Sequence, residues 1–261
     1  MREFVNSHLL SDATPGIYES LRVYEGIFFR IEEHLDRFFE SAQTLDMKVP
    51  ETRQGIRKKL EKALRDFGKE DAFVRLTLLG KEIFIHIVSR THPPENYRRG
   101  VSLKTTVVRR NPSFAAPPEA KSTAFLNQIL ATLDPAPPGN YEILFLDSNG
   151  YLAEARIGNL FTVKDQRLLT PPARGLLNGV TRRFVVECAR RGKIPVEERP
   201  LMRHELFNAD EAFLTNTSWE ILPIREVDGR QTGSKIPGPV TEELQRLFRH
   251  GVRQEIQNGK D

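Results

Sequence analysis

Two features between Asp147 and Arg182 could do chemistry. The first is Glu154, a carboxylate set in a mostly apolar strand that follows a turn at Asp147-Ser148-Asn149-Gly150. An isolated buried carboxylate is very costly, so a buried acid there needs a partner. The second is Gly179-Val180-Thr181-Arg182, which opens an amphipathic helix after a Pro-Pro loop. Such an entry offers backbone N–H groups, a hydroxyl and the positive end of a helix dipole, and it suits a phosphate. A strand pair, Leu160 to Val163 and Leu168 to Thr170, stands between the two. An acid and a phosphate cradle in one stretch suggest a ligand with a basic ring nitrogen and a phosphate tail.

The elements that must position these groups follow from periodicity. Ile17 to Tyr24 and Ile27 to Arg30 read as a strand pair around Glu25-Gly26. Ile31, Leu35, Phe38, Ala42 and Leu45 repeat at helical spacing over residues 31–46, and Ile56, Leu60, Leu64 and Phe67 do so over 52–67. Phe73 to Leu79 and Glu82 to Val88 form a predicted hairpin. Its alternation puts Phe73, Arg75, Thr77 and Leu79 on one face and Val74, Leu76 and Leu78 on the other. Val101 to Arg109 is another strand. The Pro- and Ala-rich stretch from Asn111 to Glu119 marks a domain boundary. The expected division is a smaller N-terminal domain over 1–110, a linker over 111–119 and a larger C-terminal domain over 120–261. In the latter, an apolar helix runs through Phe125, Leu126, Ile129 and Leu130, and a helix from Val180 to Arg191. Lys193 to Pro200 is strand, Asp210 to Pro223 is a strand entering a polar turn, and Val240 to Ile256 is the C-terminal helix.

A chain of 261 residues, 39% hydrophobic and 28% charged, suits a soluble globular protein of one large or two modest domains. The net charge of +4 permits anionic ligands without specifying one. The basic face of the second helix (Arg53, Arg57, Lys58, Lys59, Lys62, Arg65) lacks aromatic interleaving and reads as solvated surface, so no nucleic-acid partner is expected. A single cysteine, Cys188, excludes a disulfide framework and a multi-cysteine metal site, and its apolar setting reads as a packed thiol. The opening MREFVNSHLL has no secretory apolar core and no run is long enough to span a bilayer. No membrane partner is expected, and a cytoplasmic location is the default.

Pyridoxal phosphate carries both a basic ring nitrogen and a phosphate. Glu154, then Asn159-Leu160-Phe161, then Leu177-Asn178-Gly179-Val180-Thr181-Arg182 together resemble the signature of the fold-type IV pyridoxal-phosphate enzymes. That family includes branched-chain aminotransferases, D-amino acid aminotransferases and 4-amino-4-deoxychorismate lyases. Further pieces match from about Gly16 to Phe248. The resemblance implies an α/β (α+β) fold of two domains with the cofactor at the domain interface, and a homodimer.

It also implies roles. Lys121, 33 residues before Glu154, takes the place of the Schiff-base lysine. A free lysine amine can bond the cofactor aldehyde, yield to a substrate amine and move the α-proton. Glu154 would keep the pyridine nitrogen protonated, and Leu177 would pack on the ring face. Arg37, in His34-Leu35-Asp36-Arg37-Phe38, would grip the phosphate with its planar fork; an i to i+4 pair with Glu33 is what the residues alone suggest. Val180, Thr181, Asn216 and Thr217 complete the implied cofactor set. Tyr18 and Ser20 would face the substrate, with a half-buried strand aromatic the other reading of Tyr18. Arg75 would take a substrate carboxylate or make a structural ion pair. Ser218 would offer its backbone to the carboxylate, and Trp219 would wall the pocket or pack in the core. The leading expectation is an amino acid transaminase working between an amino acid and a 2-oxo acid. Aminodeoxychorismate lyase is the alternative, and a non-catalytic binding protein on the same scaffold is the alternative of another class. No metal is expected.

Overall fold

The computed structural model describes residues 16–112, 117–123, 126–133 and 141–258. The N-terminal decapeptide, the middle of the connector (113–116) and Phe125 lie outside them. The chain divides into two compact units. One runs to Ser89 and takes in the segment starting at Ala120; the other takes Arg90–Glu119 and continues from Leu126.

In the first unit, β1 (Gly16–Tyr24), β2 (Ile27–Phe28), β3 (Ala72–Leu79) and β4 (Glu82–Val88) form an antiparallel sheet in the order β2-β1-β3-β4. The β1–β2 turn holds Glu25 and Gly26 at φ 49° and 80°, a tight-turn conformation that glycine favours. The alternation read from the sequence sorts the faces. Ile17, Leu21, Val74, Leu76 and Leu78 are fully buried on one side. They pack with Leu35 and Phe38 of α1 (Ile31–Thr44) and Ile56 and Leu60 of α2 (Arg53–Phe67). Each such side chain contributes about 1.5–3 kcal/mol through burial. Helix α2 starts at Thr52, whose hydroxyl accepts the Gly55 N–H at 3.1 Å. Its basic outer face is laced with acids: Arg53 pairs with Glu32 and Asp36, Arg57 with Glu32 and Glu61, and Lys59 with Glu51.

In the second unit the elements run α3 (Pro94–Arg99), β5 (Val101–Arg109), α4 (Leu126–Leu133), β6 (Glu142–Leu146), β7 (Leu152–Ala155), β8 (Asn159–Lys164), β9 (Arg167–Thr170), α5 (Val180–Arg191), β10 (Val196–Glu198), α6 (Arg203–Phe207), β11 (Glu211–Asn216), β12 (Glu220–Val227), β13 (Arg230–Gln231) and α7 (Pro239–Asn258). Strand β5 lies parallel to both β6 and β12, which is why it belongs here and not with the N-terminal stretch that the sequence groups it with. The ring β8-β11-β12-β5-β6-β7 closes on itself where Glu154 of β7 pairs with Asn159 of β8. Beyond that point the same edge of β8 is taken by β9, through Thr162 to Lys164. The chemically distinctive acid therefore sits at the closure of a barrel, where the backbone is fixed from both neighbouring strands.

Leucine and valine side chains of these strands form the core, with Phe161 stacked on Phe213 across β8 and β11 at 5.1 Å. Helices α5 and α7 meet through Phe184 and Phe248, edge to face at 4.9 Å, and Cys188 is buried. Buried Glu211 accepts the Val240 and Thr241 N–H groups at 2.9 and 2.7 Å and so starts α7. On α4 the apolar stripe turns outward: Leu126, Ile129, Leu130 and Leu133 are exposed while Asn127 and Ala131 are buried. No helix among the described residues is long and apolar enough to cross a membrane.

Candidate active site

In the first unit, Lys121 is held by its backbone. The Tyr18 N–H donates to its carbonyl at 3.0 Å, and its own N–H donates to Ser41 Oγ of α1 at 3.0 Å. Ser122 bridges Ile17, and the Thr123 N–H donates to the Gly16 carbonyl at 2.8 Å, so residues 121–123 lie along the edge of β1. The Lys121 Nζ stands 4.5 Å from the centre of the Tyr18 ring, and the Arg75 guanidinium 4.6 Å from the same centre. Ser20 lies opposite Arg75 in the β1–β3 register. Four residues singled out in the sequence, Tyr18, Ser20, Arg75 and Lys121, are thus brought together by one strand pair and its edge. Tyr18 is both a buried strand aromatic and a neighbour of the lysine.

Arg37 pairs with a residue that neither reading named, Glu19. Its Nε and Nη2 donate to the two oxygens of Glu19 at 2.6 and 2.7 Å, and His34 Nδ1 lies 2.8 Å from Glu19 Oε2. Glu33 holds Arg30. Glu19 is fully buried because period two turns it to the core face beside Ile17 and Leu21. Burial alone would raise its carboxyl, but the charge and hydrogen bonds of Arg37 and His34 prevail and hold it well below the usual carboxylate range. Burial lowers the His34 imidazole against the pull of Glu19, and the charges of Arg37 and Lys121 lower it further. Glu19 is the residue the periodicity could have flagged: a charge on the apolar side of a strand.

Both shifts have one sign in acid. Unfolded chains take up protons at His34 below its ordinary 6.5 and at Glu19 below its ordinary 4.5, while the folded unit resists both. The triad's contribution is full above pH 6.5 and drains as pH falls below each ordinary value in turn. Glu19→Gln is expected to cost about 3–5 kcal/mol at pH 7, because it leaves Arg37 buried without its counter-charge. It should also flatten the fall of stability below pH 4.5. Urea denaturation followed across pH 3–8 measures both; an unchanged midpoint at pH 7 would refute the role given to Glu19.

In the second unit, all four residues of β7 are buried, Glu154 among them. Asn159 ties the site together: its Nδ2 donates to Glu154 Oε2 at 3.1 Å and to the Leu177 carbonyl at 2.9 Å. The Leu177 N–H points to Glu154 Oε1 at 3.4 Å. A Cβ on Gly179 would come within 2.3 Å of Asn159 Oδ1, so only glycine lets the start of α5 approach this closely. No side chain caps that helix start, and the buried Val180 and Thr181 form its first turn. The carboxylate and the uncapped helix start predicted from the sequence are therefore neighbours, joined through Asn159 and residues 177–179. Arg110, which nothing in the sequence signals, places its Nε 2.8 Å from Glu154 Oε1.

The polar turn after β11 is set by Asn216. Its Oδ1 accepts the Ser218 and Trp219 N–H groups at 2.8 and 2.9 Å, and its Nδ2 donates to the Ile157 carbonyl at 3.0 Å. Ser218 Oγ lies 2.8 Å from His92 Nε2, another partner that sequence patterns do not reveal. Trp219 is buried in the barrel core against Tyr141 and His92. Thr217 is half-buried on the same turn. Among the described residues no three His, Cys, Asp or Glu side chains are grouped to hold a metal.

The elements make a mixed α/β fold that carries a lysine on a strand edge, a buried acid at a barrel closure and an uncapped helix start. The chain belongs to the class IV aminotransferase family, whose model, Amino-transferase class IV, matches residues 16–227. It is similar to the branched-chain-amino-acid aminotransferase of Pseudomonas aeruginosa, 32% identical over 89% of this chain and 82% of that one. A D-alanine aminotransferase of Listeria monocytogenes is 30% identical over 95% of each chain. Among solved structures, the T.th. branched-chain amino acid aminotransferase with pyridoxamine 5'-phosphate superposes with a TM-score of 0.86 at 28% identity, covering 94% of this chain and 87% of that one. The protein is an enzyme, a transaminase, as the leading sequence expectation held. The binding-protein alternative is set aside and the lyase is not favoured. The family, and a neighbour solved with pyridoxamine phosphate, imply a pyridoxal phosphate cofactor.

Proposed function

We propose that the protein is a pyridoxal-phosphate-dependent transaminase of branched-chain amino acids, passing the amino group to 2-oxoglutarate in the cytoplasm as a homodimer. The observation that carries the amino acid reading is the Tyr18 ring with the Lys121 amine 4.5 Å from its centre and the Arg75 guanidinium 4.6 Å from it. An amine that can act on the α-carbon and a cation suited to a carboxylate, one ring apart, fit a substrate carrying both functions. The branched-chain relative supports the side-chain class. The uncharged, exposed stripe of α4 supports association with a second copy.

The donor set fits the cofactor. Glu154 is a buried carboxylate for the ring nitrogen, and the uncapped start of α5 with Thr181 suits the phosphate. When bound, pyridoxal phosphate supplies an aldehyde for the amino group and a ring that draws electrons from the α-carbon. Lys121 Nζ moves the proton at that carbon. Glu154 would hold a proton on the ring nitrogen, and Leu177 would pack on the ring. The Val180 N–H, Thr181 and Thr217 would bind the phosphate, with Asn216 fixing the turn that carries Thr217, and Arg37 would lend a guanidinium to the same anion. Arg75 takes the carboxylate, while Tyr18, Ser20, Ser218 and Trp219 shape the substrate's surroundings.

The test is a product assay with pyridoxal phosphate and 2-oxoglutarate. Glutamate should form with L-leucine, L-isoleucine or L-valine, and nothing should turn over when the 2-oxo acid is omitted. Glutamate from D-alanine alone would move the substrate to the D-amino acids. Pyruvate released from aminodeoxychorismate without any 2-oxo acid would overturn transamination itself.

A further inference from the structure

We infer that Arg110 is a positioning residue that keeps Glu154 charged and aimed, and so sets the protonation of the cofactor's ring nitrogen. The inference rests on the reading that Glu154 serves that nitrogen. Glu154 stands in a strand without an exposed residue, so its charge needs compensation from within the protein. Two of its partners, the Asn159 carboxamide and the more distant Leu177 N–H, are neutral. Arg110, its Nε 2.8 Å from Oε1, supplies the positive charge.

The architecture fixes this meeting. The Arg110 N–H donates to the Leu146 carbonyl at 2.8 Å, just past the end of β5, where Arg109 pairs with Leu146. Strand β6 then pairs with β7 through Leu144 with Ala155 and Leu146 with Leu152, which brackets Glu154. Arg110 therefore reaches past one strand to the acid on the next.

The contact has an unusual form. Arg110 Nε is buried and its N–H makes no hydrogen bond, although Glu154 Oε1 lies within ion-pair distance. The guanidinium thus offsets the charge of the carboxylate at ion-pair distance. Arg110 also lines a cavity of about 260 Å³, together with Asn111, Asp147, Tyr151 and Arg174. A counter-ion in that position stabilises an ionised acid. With a neutral side chain there, the buried acid is favoured in its protonated form, which cannot keep a proton on a ring nitrogen.

The experiment compares Arg110→Gln and Arg110→Lys, each alone and in a Glu154→Gln background. Two quantities are read: the dissociation constant of pyridoxal phosphate titrated into apo-protein, and the ¹⁵N shift of the ring nitrogen in ¹⁵N-labelled cofactor. Arg110→Gln should weaken binding about tenfold or more, a tenfold change being about 1.4 kcal/mol, and move the ¹⁵N signal toward the unprotonated position. Arg110→Lys should restore most of both. In the Glu154→Gln background, Arg110→Gln should add less than about threefold, because the charge it compensates is gone. Unchanged affinity and ¹⁵N position in Arg110→Gln, with Glu154→Gln strongly affected, would overturn the role of Arg110 alone. Equal losses in both backgrounds would make Arg110 merely structural and overturn it too. A Glu154→Gln protein with the wild-type ¹⁵N signal would remove the reading of Glu154 and this inference with it. If Arg110→Gln fails to fold while the doubly substituted protein folds, the loss lies in the uncompensated charge, as the inference requires; if neither folds, the Arg110→Lys ¹⁵N position decides, wild-type-like supporting and shifted opposing.

Discussion

Lys121→Ala should abolish turnover, by on the order of 10⁴-fold or more, while the protein folds as before. General acid–base catalysis alone accounts for about 10²–10⁴, and this amine is assigned the covalent hold on the aldehyde as well. Folding should be spared because the segment is anchored through its backbone. Its carbonyl accepts the Tyr18 N–H and its N–H donates to Ser41 Oγ, contacts that alanine keeps. What alanine loses is the amine beside the Tyr18 ring, a contact worth about 0.5–1 kcal/mol to stability at exposed sites. The check has two parts: glutamate production, and the mass of the protein after borohydride in the presence of pyridoxal phosphate. Wild type should gain the mass of the reduced cofactor on Lys121, and the variant should gain none there. A variant that retains transamination, or a wild type labelled on another lysine, would sink the assignment. Lys121→Arg, which preserves charge over the ring without a nucleophilic amine, should be as inactive as alanine and separates the chemistry from the cation–π contact.

The sequence made this lysine legible only through its distance from Glu154 and the surrounding motif; by periodicity it is an ordinary coil residue. The elements themselves were easier. Alternation in β1 and β3 sorted the buried face of the first unit, because Ile17, Leu21, Val74, Leu76 and Leu78 must avoid water and period two leaves them one side. Helix α5 was readable from its glycine start to Arg191. What stayed hidden depends on contacts distant in sequence. The parallel pairings of β5 with β6 and β12, and the closure of the barrel at Glu154 and Asn159, leave no local mark. Arg110 meets Glu154, and His92 meets Ser218, only as a result of those pairings. Glu19 is the opposite case. Its place on an apolar face was visible, but the motif around Tyr18 drew attention to its neighbours. The outward stripe of α4 shows a further limit: apolar periodicity fixes which residues share a face, not what that face meets.

Glu154→Gln should cost catalysis far more than folding, lowering kcat on the order of 10³-fold, the scale on which losing one preorganised electrostatic partner acts. Glutamine has nearly the same shape and can still accept the Asn159 Nδ2 hydrogen bond, so the closure of β7 on β8 should persist. It has no charge with which to hold a proton on a ring nitrogen, and that difference is the whole effect. Arg110 is left without its counter-charge, but it borders a cavity that admits solvent, so the stability penalty should fall below the about 3–5 kcal/mol typical of a broken buried pair. Glu154→Ala should show the same loss of kcat and an added loss of stability, since the Asn159 amide then faces a void. The measurements are kcat, KM and the urea midpoint of each variant. Loss of kcat with a nearly unchanged KM and midpoint in Glu154→Gln places the carboxylate's charge at the chemical step. A fall in activity that merely tracks the fall in stability across both variants would make Glu154 a strut of the barrel closure and no more.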